Sequence, residues 1–323
     1  MKLDKSKIKL YSSIGSRATF GLVSLELVKE TENLMILTSD VSTSAGLDRF
    51  KLKHPQNYID VGIAEQNLIG VATGLSTCGF NVFTTTFAPF QTMRCLEQIK
   101  VNMGYMKKKV TMVGLASGIV LGNLGFTHCC IEDISVMRSI PGMTVLSPAD
   151  CGEVAKCVFA AARIPGPVYI RLTGSSNNPV VFNEDYDFTI GKAIELSKGE
   201  DITIFATGSM VFKSIEAAKI LNDNNISSTV ININTIKPID EKFINKNSKG
   251  KKLIVTVEEH SIIGGLSSAV AEVNSSIKDT PEQLSISLPD NYFKGGDYND
   301  LLNKYNLTPM GIANLVKDKL KNS

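Results

Sequence analysis

The chain has 323 residues, 43% hydrophobic and 20% charged, with 34 Lys and Arg against 32 Asp and Glu for a formal charge of +2. At about 100–200 residues per domain this length suits two domains, and the apolar fraction excludes a disordered chain. A charge balance this even excludes a nucleic-acid surface.

Runs of branched and aromatic residues alternate with amphipathic stretches along the whole chain. Leu34–Thr38 reads as a short apolar strand, Tyr58–Val61 as a second, and a helical stretch begins near Glu65. Asn81–Thr85, Val110–Gly114, Thr144–Leu146 and Val168–Leu172 read as strands, with a helix over Cys151–Arg163. Around Gly174 to Asp187 the apolar period lapses into Gly-Ser-Ser-Asn-Asn-Pro and an acidic, aromatic stretch. A second alternation follows: strands at Ile202–Ala206, Ser228–Asn232 and Leu253–Val257, and helices over Met210–Asn222, from about Gly265 to Val273, and from Thr308 onward. The pattern predicts an α/β fold of two doubly wound domains, residues 1–178 and 191–323, joined by a linker at 179–190.

No apolar core follows Met1-Lys2-Leu3-Asp4-Lys5-Ser6-Lys7, so no signal peptide is expected. The longest apolar tract, Val110 to Phe126, is broken by Ser117, Asn123 and four glycines, which argues against a membrane span. Six cysteines, with Cys129 and Cys130 adjacent and no C-x-x-C spacing, predict neither a disulfide framework nor a zinc site; a cytoplasmic protein is expected.

Ligands of open α/β sheets bind at the carboxyl ends of strands, so polar and aromatic residues there are the first candidates. Five places qualify: Asp40 with Ser42 and Ser44, Glu65, Phe87 with Phe90, His128, and Glu258-Glu259-His260. Each also has a purely structural reading. Asp40 reads equally as a turn cap, Glu65 as a carboxylate facing a helix dipole, the phenylalanines as core and His128 as a satisfied core histidine. With three histidines and no clustered Cys, His and Asp, no protein-built metal site is expected, and there is no G-x-S-x-G elbow. Composition and spacing alone stop at a two-domain α/β protein, an enzyme subunit.

The order of the motifs goes further. Val61-Gly62-Ile63-Ala64-Glu65-Gln66-Asn67, Thr84-Thr85-Thr86-Phe87-Ala88-Pro89-Phe90, Gly125-Phe126-Thr127-His128 through Asp133, and Arg138 through Val145 followed by Pro148-Ala149-Asp150 resemble the pyrimidine-binding domain of transketolases. Thr235-Ile236-Lys237-Pro238-Ile239-Asp240, Glu258 through Gly265 and Tyr305-Asn306-Leu307-Thr308 resemble the transketolase C-terminal domain. A full-length transketolase also carries a diphosphate-binding domain with a Gly-Asp-Gly segment, for which 323 residues leave no room. The resemblance therefore implies the C-terminal half of a split transketolase. Its N-terminal half would be another polypeptide, in an α2β2 assembly acting on sugars, with no nucleic acid or membrane as partner.

The resemblance implies thiamine diphosphate as cofactor, with Mg²⁺ or Ca²⁺ held mainly by the partner subunit. Thiamine diphosphate must lose the proton on its thiazolium C2, and Glu65 matches the family glutamate that hydrogen-bonds the pyrimidine nitrogen and favours the tautomer serving as internal base. Phe87 and Phe90 match positions lining the pyrimidine ring, and Met93 falls where relatives place an aromatic residue. Asp40 and Ser44 match positions near the cofactor and substrate channel, His128 a histidine that contacts ketose oxygens, and Arg17 an arginine that binds the sugar phosphate.

Three departures fall on the substrate side. An aspartate that reads sugar hydroxyls is Leu124 here, and a histidine position aligns near Ala116. The second phosphate-gripping arginine aligns with Gly174; Arg171, three residues earlier on a strand, is expected to point to the other face. Other readings are the β subunit of a thiamine-dependent 2-oxo acid dehydrogenase, half of a deoxyxylulose-phosphate synthase-like enzyme, and a non-catalytic scaffold subunit.

Overall fold

A computed structural model of the chain describes every residue except Ser175, Ile277 and Ser323. Ser175, in the turn-rich stretch that ends the first alternation, lies outside the described residues. The branched runs of the first half form β1 (Leu34–Thr38), β2 (Tyr58–Asp60), β3 (Asn81–Phe87), β4 (Val110–Leu115), β5 (Thr144–Leu146) and β6 (Val168–Arg171). They are followed by β7 (Ile194–Ser197), β8 (Ile202–Ala206), β9 (Ser228–Asn232), β10 (Thr235–Lys237), β11 (Leu253–Ser261) and β12 (Gln283–Leu288). Every residue of β1, β4, β6, β8 and β9 is buried, as expected of strands covered by helices on both faces.

Two sheets result, ordered β10-β5-β6-β4-β3-β1-β2 and β12-β11-β8-β9-β7. Neighbours are parallel except at two edges, where β10 runs antiparallel to β5 and β7 antiparallel to β9. The sheets are therefore mixed rather than wholly parallel, and β10 reaches across from the second half to close the first sheet. Lys237 fastens it: its ammonium donates to the carbonyls of Arg138 and Ile140 at 2.8 and 2.7 Å.

The helix Lys5–Glu30 has no counterpart among the elements read from the sequence. Asp4 caps it by accepting the Lys7 N–H at 2.8 Å, and its helical geometry breaks at Gly15, where φ is 82°. That break shifts the phase of the apolar stripe, which packs against the helix Cys151–Arg163. The second helix starts on Asp150, whose carboxylate accepts the N–H groups of Glu153, Val181 and Phe182 at 2.8, 2.8 and 3.0 Å. One side chain thus caps the helix and pins the segment after β6.

Buried polar groups join the two halves. Arg171 Nε donates to both oxygens of Asp133 at 2.8 and 3.1 Å, Arg171 Nη2 donates to the Glu259 carbonyl at 2.8 Å, and the Tyr169 hydroxyl donates to Asp133 at 2.7 Å. Burial opposes the guanidinium charge, but the Asp133 carboxylate outweighs it and raises the Arg171 pKa above its ordinary value. Glu153 accepts from the Ala149 N–H, the Tyr186 hydroxyl and the side-chain amides of Asn232 and Asn234. Burial pushes its carboxyl up to about 7 against those donors.

Glu258-Glu259-His260 is corrected as a candidate site. These residues do not follow a strand that ends at Val257; β11 continues through them to Ser261, and all three are buried. Glu258 accepts the N–H groups of Leu266 and Ser267 at 2.7 and 2.8 Å, capping the helix Leu266–Asn274. Glu259 accepts the Ile119 N–H and the hydroxyls of Ser209 and Tyr298 at 2.8, 2.6 and 2.7 Å. With its oxygens occupied, Glu258 fastens a helix of its own half, and Glu259 joins the two halves through Ile119.

Candidate active site

Strands β4, β3, β1 and β2 are successive neighbours, so the loops at their carboxyl ends share one rim of the first sheet. Glu65 opens the helix Glu65–Thr77 beyond β2. The turn before it is held by Ser39, whose hydroxyl donates to the Gly62 carbonyl at 2.5 Å and accepts the Ala64 N–H at 3.0 Å. Gly62 takes φ 72°, a conformation that a side chain would strain. Glu65 is 6% exposed. Its Oε1 accepts Arg94 Nη1 at 2.8 Å, and among the described residues no donor reaches its Oε2. A cavity of about 380 Å³ opens beside it, lined by residues 63–67 and Arg94.

The segment after β3 builds the adjoining wall. Gln91 folds back on the strand, donating to Thr84 Oγ1 at 2.6 Å and accepting the Thr86 N–H at 3.1 Å. This fixes the turn that carries Phe87 and Phe90, whose rings meet edge to face at 6.3 Å. His128 completes the cluster, 5.4 Å from the Phe90 ring and 6.4 Å from Phe87. It stands on the loop after β4, where Gly125 at φ 82° turns the chain so that its carbonyl accepts the His128 N–H at 3.1 Å. His128 Nδ1 contacts Thr127 Oγ1 at 3.1 Å, which leaves Nε2 for another partner. Met93 borders a cavity of about 370 Å³ with Pro89, Phe126, Thr127 and Tyr292.

Glu65 lines the first cavity and Met93 the second, and Arg94 links Glu65 to the Phe87–Phe90–His128 cluster through its place over the Phe90 ring. Asp40 and Ser44 lie on the loop after β1, which starts at the Ser39 contact and ends at Gly46, packed on the backbone of Arg17 and Ala18. Asp40 is exposed, with φ 55°, and its N–H donates to Asp60 Oδ1 at 3.0 Å. Among the described residues, neither Asp40, Ser44 nor Arg17 hydrogen-bonds to Glu65 or His128. Sequence reasoning missed Arg94 and Tyr292. Arg94 directly follows Met93, a usable signal, whereas Tyr292 arrives from the far half of the chain, its ring 4.4 Å from Phe126.

On the substrate side, Leu124 is exposed on the His128 loop. Arg171 is buried in its pair with Asp133. A Cβ at Gly174 would come within 2.4 Å of Asn178 Oδ1, so an arginine would not fit there without displacing that amide. A larger cavity of about 430 Å³ lies between the halves near Asp150, Ser209 and Lys213. Of its two carboxylates, Asp150 is held by three backbone N–H groups, and Asp297 is exposed and accepts the Asn299 N–H.

A buried carboxylate with one free oxygen beside aromatic rings fits a planar nitrogen heterocycle such as an aminopyrimidine. Among the described residues no group of three His, Cys, Asp or Glu side chains is arranged to hold a metal ion, and no helix is long and apolar enough to cross a membrane.

Residues 12–178 match the family described as transketolase, pyrimidine binding domain, and residues 191–312 match transketolase, C-terminal domain. The chain is 34% identical over 308 residues to one of the subunits of the apulose-4-phosphate transketolase of Phocaeicola vulgatus, covering 95% of this chain and 98% of that one. It is 39% identical over 258 residues to a 6-deoxy-6-sulfo-D-fructose transketolase subunit of Clostridium sp. (strain MSTE9), covering 79% of this chain and 79% of that one. A solved split-gene transketolase, described as an inactive β4 tetramer, superposes with a TM-score of 0.85 at 37% identity over 96% of this chain and 99% of that one. These matches weigh against the 2-oxo acid dehydrogenase reading. The chain belongs to the transketolase family, and its relatives include subunits of split transketolases.

Proposed function

We propose that this chain is the cofactor-activating subunit of a two-subunit transketolase that moves a two-carbon ketol unit from a ketose to an aldose. The observation that carries this reading is the Glu65 carboxylate, buried at a helix start with Oε2 free and joined through Arg94 to the Phe87–Phe90–His128 cluster. When bound, thiamine diphosphate supplies the nucleophilic carbon that this chemistry requires. Glu65 holds the pyrimidine ring nitrogen and exchanges a proton with it in a largely dry site. Phe87, Phe90 and Met93 fix the plane of the ring. His128, with Nε2 free, donates to a ketose oxygen, and Asp40 and Ser44 border the approach. Residues 1–178 form the pyrimidine domain and 191–323 the C-terminal domain, with 179–190 between them. Six free cysteines, five of them buried, suit a reducing, cytoplasmic compartment.

The diphosphate and its Mg²⁺ or Ca²⁺ fall to the N-terminal partner subunit in an α2β2 assembly. Exposed Ile63, Met93, Tyr105 and Met106 offer apolar surface for that association. The full chain with thiamine diphosphate and Mg²⁺ is expected to show no ketol transfer until its partner is added, and turnover by the chain alone would overturn the proposal.

The substrate is a modified rather than an ordinary sugar phosphate. Arg17 is left as the phosphate contact on this chain, because Arg171 is committed to Asp133 and Gly174 has no side chain. A missing charge-assisted contact lowers affinity by about 10- to 150-fold, and Leu124 offers no acceptor to a sugar hydroxyl. Two relatives bear the names of unusual sugars, one carrying a sulfonate. With xylulose 5-phosphate and ribose 5-phosphate the reconstituted enzyme should fall below a kcat/KM of about 10⁴ M⁻¹s⁻¹. A higher value means that the partner supplies the phosphate grip.

A further inference from the structure

Arg94 touches both halves of the site that a pyrimidine would need. Its Nη1 donates to Glu65 Oε1 at 2.8 Å, and its guanidinium carbon lies 4.2 Å from the centre of the Phe90 ring. The Arg94 carbonyl accepts Gln66 Nε2 at 3.1 Å, which ties its backbone to the helix that Glu65 begins. The Arg94 side chain is 45% exposed and that of Glu65 only 7%, so the arginine lies at the mouth and the carboxylate behind it. A guanidinium is planar, carries its N–H donors in that plane and stacks on aromatic faces. An aminopyrimidine that pairs with a carboxylate and stacks on a phenylalanine offers the same features.

We propose that Arg94 is a built-in stand-in for the aminopyrimidine. In the unassembled chain it holds Glu65 by Oε1 and lies over the Phe90 ring face that the cofactor would otherwise use, and it swings outward when the pyrimidine enters at Oε2. The proposal rests on reading this as a thiamine pyrimidine site. The physical need is clear: without a partner the buried Glu65 carboxylate would stand uncompensated before the cofactor arrives. Arg94 meets that need and can leave, because its side chain is half in water. Its occupancy lowers the apparent affinity for the ring by the fraction of time the site is closed. Arg94 is therefore a positioning residue that keeps the free chain from binding cofactor prematurely.

The test is calorimetric titration of the full chain with the aminopyrimidine fragment of thiamine. Arg94→Met keeps an unbranched stem over Phe90 but removes the donors, and it should bind the fragment about tenfold or more tighter than wild type. Arg94→Lys, which keeps the charge without the planar fork, should fall between them and stands in if the methionine variant does not fold. An ion pair that merely supported the fold would not raise ligand affinity when cut. Equal or weaker binding by the variants, or no binding by any of the proteins, overturns the proposal. In that event, binding of thiamine diphosphate by wild-type chain mixed with its N-terminal partner shows whether the pyrimidine reading itself survives.

Discussion

Glu65→Gln in the assembled enzyme is expected to slow exchange of the thiazolium C2 proton of bound thiamine diphosphate for deuterium by about 10²–10⁴-fold. The substitution keeps the length and planarity of the side chain, and in the unassembled chain the amide oxygen still accepts from Arg94. What it loses is the ability to hold or yield a proton at the pyrimidine nitrogen. The circular-dichroism spectrum should be unchanged, since Glu65 begins its helix without supplying a side-chain cap. Exchange at the wild-type rate would reduce Glu65 to a carboxylate that only faces a helix dipole.

The largest effect on stability is expected at Arg171. Arg171→Met leaves the Asp133 carboxylate fully buried with, among the described residues, only the Tyr169 hydroxyl as donor, a change that costs about 3–5 kcal/mol. Urea unfolding should show it as a lowered midpoint. The double variant Asp133→Asn/Arg171→Met carries no orphaned charge and should recover part of the loss. A single variant within about 0.5 kcal/mol of wild type would mean that Asp133 finds another partner. Because Arg171 is buried and its donors are spent on Asp133 and the Glu259 carbonyl, its loss should leave the KM for sugar unchanged in whatever fraction stays folded.

The parts of the fold legible in the sequence are those whose causes are local. Strands such as Leu34–Thr38, Ser228–Asn232 and Ile202–Ala206, and the helices Cys151–Arg163 and Met210–Asn222, occur where branched runs and amphipathic periods place them. The misses have non-local or broken causes. β10 is three residues long and exists because β5 offers an edge. The helix Lys5–Glu30 is interrupted at Gly15, so neither side of the break carries an unbroken stripe. β11 runs on through Glu258, Glu259 and His260 because their donors lie elsewhere in the fold, which no reading of neighbouring residues reveals. At the site, ordered motifs brought Glu65, Phe87, Phe90 and His128 into view. The pairing of Glu65 with Arg94 spans 29 positions and depends on how the turn after β3 folds back.

The closing of the first sheet by residues 235–237 ties the two halves together in time as well as in space. While the polypeptide is being synthesised, the outer edge of β5 stays open until the ribosome has delivered the chain past Lys237. An open strand edge pairs with whatever extended segment it meets. The same dependence constrains how the gene can be divided. A break upstream of the pyrimidine-binding half leaves both sheets whole, whereas a break between the two halves would give one product with a raw edge and another with a strand that has nowhere to dock.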